Sequence, residues 1–150
     1  MSHEKSQSKH LNWTNILFFA INTSVSVVGT VLLLMYGTIH SATWVLAIIT
    51  WFLFGMGGIT VGYHRLFSHK TFKAVAPVRF ILLLFGAGAF EGSVLEWCTD
   101  HRNHHRYTDT DKDPYSIKGG FWYAHIGWIF TLDTSTRNYD NVKDLQDDWM

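Results

Sequence analysis

Two long stretches of this chain carry no charged side chain, and only five residues separate them. Ile16 to Tyr36 is apolar apart from Asn22 and a few Ser and Thr, and Ala42 to Tyr63 is a second uncharged run. Each is roughly 20 residues long, which suffices for a helix to cross a bilayer. With only Gly37 to Ser41 between them, the two helices are expected to be antiparallel neighbours, a transmembrane hairpin. A buried helical hairpin of a soluble protein is the competing reading, but charge-free spans of this length rarely occur there.

Charge sets the expected topology. Lys5 and Lys9 precede the first run, the short loop has no Lys or Arg, and Arg65, Lys70, Lys73 and Arg79 follow the second. The positive-inside rule therefore puts both ends of the hairpin on the cytoplasmic side. The expected organisation is a polar cytoplasmic N-terminus (1–15), the hairpin (16–36 and 42–63) and a cytoplasmic cap (64–150), in an all-α fold. The first run has no small-residue cleavage site, so no cleavable leader is expected. A net charge of zero gives no basic surface for nucleic acid, and a single cysteine, Cys98, rules out an intrachain disulfide.

The cap begins with Val78 to Phe90, apolar but too short to span, with Pro77 at its start as at many first helical turns. It reads as a helix in the interface or under the cap. Glu91 to Arg106 has a polar helical pattern, and Thr108 to Gly120 reads as a loop. The aromatic run Phe121 to Phe130 suits the headgroup belt, and a polar tail follows from Asp133.

Five of the nine histidines fall in two tight groups. His101, His104 and His105 sit at i, i+3 and i+4, on one helix face. His64 and His69 are five apart, about 140° around an α-helix. They converge only if the helix frays there, or else they serve different metals. Neutral imidazole ligates iron, zinc, copper and nickel. Five histidines exceed the usual set of one catalytic zinc, so two metals fit better. Iron is preferred because zinc has no redox chemistry. His3, His10 and His40 stand outside the clusters, and His125, among aromatics, is not expected to be a ligand. Glu96, Asp100, Asp109, Asp111 and Asp113 surround the second group. Ligating histidines usually pass their second N–H to such an acceptor. Glu96 and Asp100, at i and i+4, either do this or form a solvated acidic face. Cys98 is expected to pack rather than ligate.

His64-Arg-Leu-Phe-Ser-His69, then Glu-Trp97-Cys-Thr-Asp100-His101-Arg-Asn-His-His105, then Asp111-Lys-Asp-Pro-Tyr-Ser and Gly120-Phe-Trp-Tyr-Ala-His-Ile-Gly-Trp128 resemble the acyl-CoA delta-9 desaturases. The resemblance implies a mushroom-shaped, four-span membrane enzyme with a cytosolic cap and two irons bound through three histidine boxes. With dioxygen and two electrons it puts a cis double bond into a saturated acyl thioester. The electrons come from an external donor, a ferredoxin or a small cytochrome and its reductase. The matching ligands are His64, His69, His101, His104 and His105. Trp97 matches a residue lining the acyl tunnel and Asp100 one near the carrier's head group. Phe52 and Met56 match positions closing the far end of the tunnel, and a methionine there implies a preference for palmitoyl over stearoyl chains.

Thr99 and Gly92 depart from animal relatives, which carry Arg and Asn there, and this leaves coenzyme A, acyl carrier protein and a lipid open as the carrier. The third box and second pair of spans are absent from these residues, so the chain resembles the first two fifths of such an enzyme. Two other readings stand beside it. One is a histidine-box hydroxylase of alkyl or acyl chains. The other is a non-catalytic membrane protein binding structural metal or haem. The membrane is the bacterial inner membrane or the endoplasmic reticulum.

Overall fold

A computed structural model describes residues 11–131 and 137–148. The polar N-terminus, with Lys5, Lys9, His3 and His10, lies outside the described residues. Among the described residues the fold is all-α, without strands. The first helix, α1, covers Trp13–Tyr36 and is capped by Asn12, whose side chain accepts from the Asn15 amide at 3.0 Å. The second, α2 (Ser41–Trp51), continues without a break into a π-wound segment, Phe52–Ser68. Both Trp13–Tyr36 and Ser41–Ser68 are long and apolar enough to cross a membrane.

The π winding changes the expected register. Its backbone bonds run from i to i+5 rather than i+4. The last of them, His69 N–H to the His64 carbonyl at 2.9 Å, links the two histidines themselves.

Helix α3 (Ala76–Gly88), with Pro77 in its first turn, packs along the π segment. The approach is close because both sides offer glycine. A Cβ on Gly58 would overlap the backbone at Gly86, and one on Gly86 would overlap the Tyr63 ring. Phe54 also meets Phe85, with ring centroids 6.1 Å apart. The chain then reverses through Phe90 and Gly92, both at positive φ, into α4 (Val94–Tyr107). A capping box starts α4, with Ser93 accepting from the Glu96 amide and Glu96 accepting from the Ser93 amide. That reciprocal pair satisfies two amides that no helical carbonyl can reach.

Beyond α4 lie a 3₁₀ turn (Ile117–Gly119), α5 (Phe121–His125), a second turn (Gly127–Phe130) and α6 (Lys143–Gln146). The second turn holds the start of α1. Asn12 donates its amide to the Phe130 carbonyl at 2.7 Å, and Asn15 Nδ2 donates to the Ile129 carbonyl at 2.9 Å. Residues 137–148 fold back across α4, and Val142 is completely buried there. The core joins Tyr63, Leu66 and Phe67 of the π segment to Leu82 of α3, Cys98 of α4 and Val142. It lies at the histidine-bearing end of the second long helix.

Candidate metal centre

The π segment delivers His64 and His69, and α4 delivers His101 and His105. One nitrogen from each of these four rings lies within 4.8 Å of the others. His101 is central. Its Nε2 is 3.0 Å from His69 Nε2 and 3.1 Å from His105 Nε2. The His64 ring centroid is 4.5 Å from His69 and 4.7 Å from His101. The pair comes together without the fraying expected from an α-helical register. The i+5 winding brings the pair together within an intact helix.

The fifth histidine turns elsewhere. His104 Nδ1 is 2.9 Å from Asp113 Oδ1, and its ring centroid is 6.4 Å from that of His101. Tyr115 stacks on it at 4.3 Å. The Tyr115 hydroxyl also lies 3.3 Å from His101 Nδ1. Trp97 stacks on His101, at 4.7 Å and 28°, and donates its indole N–H to Glu91 at 3.0 Å.

Electrostatics disfavour a proton on two rings of the cluster. Burial, with the charge His64, His105, His69 and His104 would carry, pushes His101 down to about 3. Burial and the same kind of repulsion lower His69. Unprotonated imidazoles are the form that binds metal. The donor set fits a cation for a further reason. A neutral imidazole has one acceptor nitrogen, and a single lone pair on His101 Nε2 serves both His69 and His105 poorly as an acceptor. Two ligands at about 2.1 Å from an ion and at right angles are about 3.0 Å apart, close to the separations found here.

The Glu96 oxygens accept from Ser93 and from Arg137 Nη1, the latter at 2.7 Å. Burial pushes its carboxyl up, but the Ser93 hydrogen bonds and Arg137 outweigh that and hold it low. Asp100 is bound by Arg137 through two nitrogens, at 3.2 and 2.8 Å. Phe52 and Met56 are exposed. His40 caps α2 and His125 stacks on Phe121, both on the surface. Cys98 is buried in the core, where burial pushes its thiol up to about 12.

Three contributing residues carried no assigned role in the sequence reading, while Asp113 stood there undistinguished among five candidate acceptors. Tyr115 lies in the Asp-Pro-Tyr stretch, which carried resemblance but no chemistry. Arg102 follows His101 and so points to the opposite side of α4. There it donates to the carbonyls of Phe67, Ser68 and Asn141 and to both oxygens of Asp144. Arg137 was hidden in a polar tail with no periodicity to read.

Comparison with known proteins bears on these residues directly. The sequence profile of the family described as fatty acid desaturase matches residues 42–146. A Schizosaccharomyces pombe protein named probable acyl-CoA desaturase is 44% identical over 145 residues, covering 93% of this chain and 28% of the relative. A Delta(9)-fatty-acid desaturase of Caenorhabditis elegans is 39% identical over 134 residues, covering 88% of this chain and 37% of the relative. A Nostoc sn-2 palmitoyl-lipid 9-desaturase is 39% identical over 141 residues, covering 93% and 47% respectively. The chain thus spans less than half the length of each of these relatives.

Proposed function

The chain belongs to the fatty acid desaturase family, and on that footing we propose that it forms the first part of a di-iron acyl-CoA desaturase acting at the delta-9 position. The observation that supports this most is the four-nitrogen histidine cluster at the end of a membrane-length helix. His64, His69, His101 and His105 would hold iron there, with His104 facing a second position. Iron so bound supplies the redox chemistry that uses dioxygen. The overall reaction takes one –CH₂–CH₂– unit, one O₂, two electrons and two protons to one –CH=CH– unit and two waters.

The residues of the chain do the positioning. Trp97 stacks on the His101 ring and the Tyr115 hydroxyl meets its Nδ1, and the low proton affinity of His101 keeps its nitrogen available. The acyl chain enters from the membrane side, past Trp97, and Met56 and Phe52 line its far end. Asp100, paired with Arg137, lies on the carrier side. The electron donor docks on the cytoplasmic face, where both ends of the long helices emerge by the positive-inside rule.

Two of the three relatives are named for a carrier, one for a coenzyme A thioester and one for a lipid. Coenzyme A is the carrier proposed here. On this reading these 150 residues alone bind iron weakly and turn over no substrate, since they hold only part of a two-iron ligand set. Stoichiometric two-iron binding with turnover by the 150-residue chain would overturn that.

The test of function is product analysis. The complete reading frame is expressed in cells lacking their own desaturase, and fatty acids are analysed by mass spectrometry. A mass loss of two hydrogens at carbons 9 and 10 is expected. A gain of one oxygen would assign the chain to hydroxylases. Bound metal without either product would make it a non-catalytic metal protein.

A further inference from the structure

We propose that the Asp113–Tyr115 turn is a positioning device that fixes two histidines of α4 at once, so that both present Nε2 to metal. This rests on the metal-centre reading above and names residues that reading does not use as ligands. The geometry is specific. Asp113 Oδ1 is 2.9 Å from His104 Nδ1, and the Tyr115 hydroxyl is 3.3 Å from His101 Nδ1. Two residues of one turn therefore occupy the Nδ1 atoms of two rings a helical turn apart. An acceptor at Nδ1 keeps the proton there and leaves Nε2 as the ligating nitrogen: the Asp113 carboxylate can only accept, and the Tyr115 hydroxyl accepts when His101 ligates through Nε2.

The turn is itself held firmly. Asp113 has a fully inaccessible side chain. It accepts from the Asp109 amide at 2.9 Å through Oδ2 and from the Tyr115 amide at 3.2 Å through Oδ1. The carboxylate thus ties its own loop and reaches the histidine with the oxygen that also accepts from Tyr115. Asp109 adopts a positive φ of 57° to close this loop. Tyr115 is wedged between the His104 and Trp128 rings, at 4.3 and 4.9 Å. Neither residue can move without moving a histidine.

The two interactions separate by substitution. Asp113→Ala removes the histidine bond and the loop bonds together. Asp113→Asn keeps an Oδ1 acceptor for His104 and the Tyr115 amide, while losing the bond at Oδ2 and the charge. Tyr115→Phe keeps the stack and loses only the hydroxyl on His101. The probe is cobalt(II), added to the purified complete protein in detergent and followed by its visible absorption bands. Helix content and thermal midpoint are measured alongside. Wild type is expected to bind with a band pattern of nitrogen ligation. Asp113→Ala should bind roughly 10–100-fold more weakly, the loss typical when the acceptor behind a ligating histidine is removed. Asp113→Asn should stay within about three-fold of wild type, and Tyr115→Phe should shift the bands with little change in thermal midpoint.

Failure of wild type to bind cobalt overturns the metal-centre reading itself. Wild-type binding with Asp113→Ala unchanged overturns the inference alone. Asp113→Asn as weak as Asp113→Ala also overturns it, because the loop and the charge would then account for the loss. Unshifted bands in Tyr115→Phe remove the second half of the device.

Discussion

From Trp13 to Trp51 no residue is buried, whereas from Tyr63 onward Cys98, Thr99 and Val142 are completely enclosed. The same chain thus contains two regions held by different physics. In the first, helical bonds satisfy every mid-helix backbone group internally, and the exposed surface is Val, Leu, Ile and Phe. Any sequence of that hydropathy specifies the same element. In the second, individual residues matter: Arg102 ties three carbonyls and a carboxylate across elements, and Arg137 joins Glu96 to Asp100. The difference predicts where substitutions are felt.

The largest expected effect pairs His101 with His40. His101→Ala in the complete enzyme removes the ring at the centre of the cluster and should abolish product and lower iron content. His40→Ala, at the exposed start of α2, should leave product formation within a few-fold of wild type. The same assay, fatty acid analysis beside iron determination, reads both. A dead His40→Ala with an active His101→Ala would erase the comparison.

Stability should divide along the same line. Arg102→Ala deletes five hydrogen bonds and leaves Asp144 with Lys70 alone. A loss of about 3 kcal/mol is expected, because hydrogen bonds to charged groups exceed neutral ones and partly buried ion pairs are costly to break. Val28→Leu on the exposed face of α1 should change stability by less than about 0.5 kcal/mol. Denaturant titration in one detergent measures both, and equal losses would show that the two regions are not distinct.

A finer cut through the cap uses acid. Hydrogen bonding from Arg102, aided by Lys70, holds Asp144 down at about 2, against about 3.9 for an unperturbed aspartate. A carboxyl depressed by folding stabilises above its unfolded value and loses that contribution as pH falls through the folded one. The window is therefore about pH 4 to 2. Asp144 is one-third exposed, so solvent screening reduces the effect to about 1 kcal/mol. Wild type should lose that much more stability than Asp144→Asn across the window. Parallel losses would mean the pair is screened away.

The first region was almost wholly legible in the sequence, since hydropathy and length alone mark 16–36 and 42–63 as membrane-length helices, and the structure extends them to Trp13–Tyr36 and Ser41–Ser68. The cap was legible where one element carries the pattern, as at His101 and His105. It was illegible where the relation crosses elements. Nothing in H-x-x-x-x-H announces π winding, because α and π turns differ in backbone register and not in side-chain type. Glu96 and Asp100 looked like supports for the histidines because only their own helix was visible. Arg137, some forty residues on, claims both. Asp113 was one acid among five until the loop brought it to His104.

The smallest effect concerns Met56, on the boundary between the two regions. It is 42% exposed and Phe52 is 56% exposed, on a segment whose other side packs against α3. That outward surface is available to an acyl chain, and Met56 offers it a flexible thioether that moves aside readily. Each additional buried methylene contributes about 0.8 kcal/mol, so the two that separate stearoyl from palmitoyl bound its selectivity at about fifteen-fold. Wild type should favour palmitoyl over stearoyl substrate, and Met56→Ala should shift the product ratio toward stearoyl by about two- to four-fold in direct competition. Shorter and longer chains processed in the same ratio by both proteins would place Met56 against lipid or a neighbouring helix. The boundary between the two regions would then lie closer to His64 than the exposed methionine suggests.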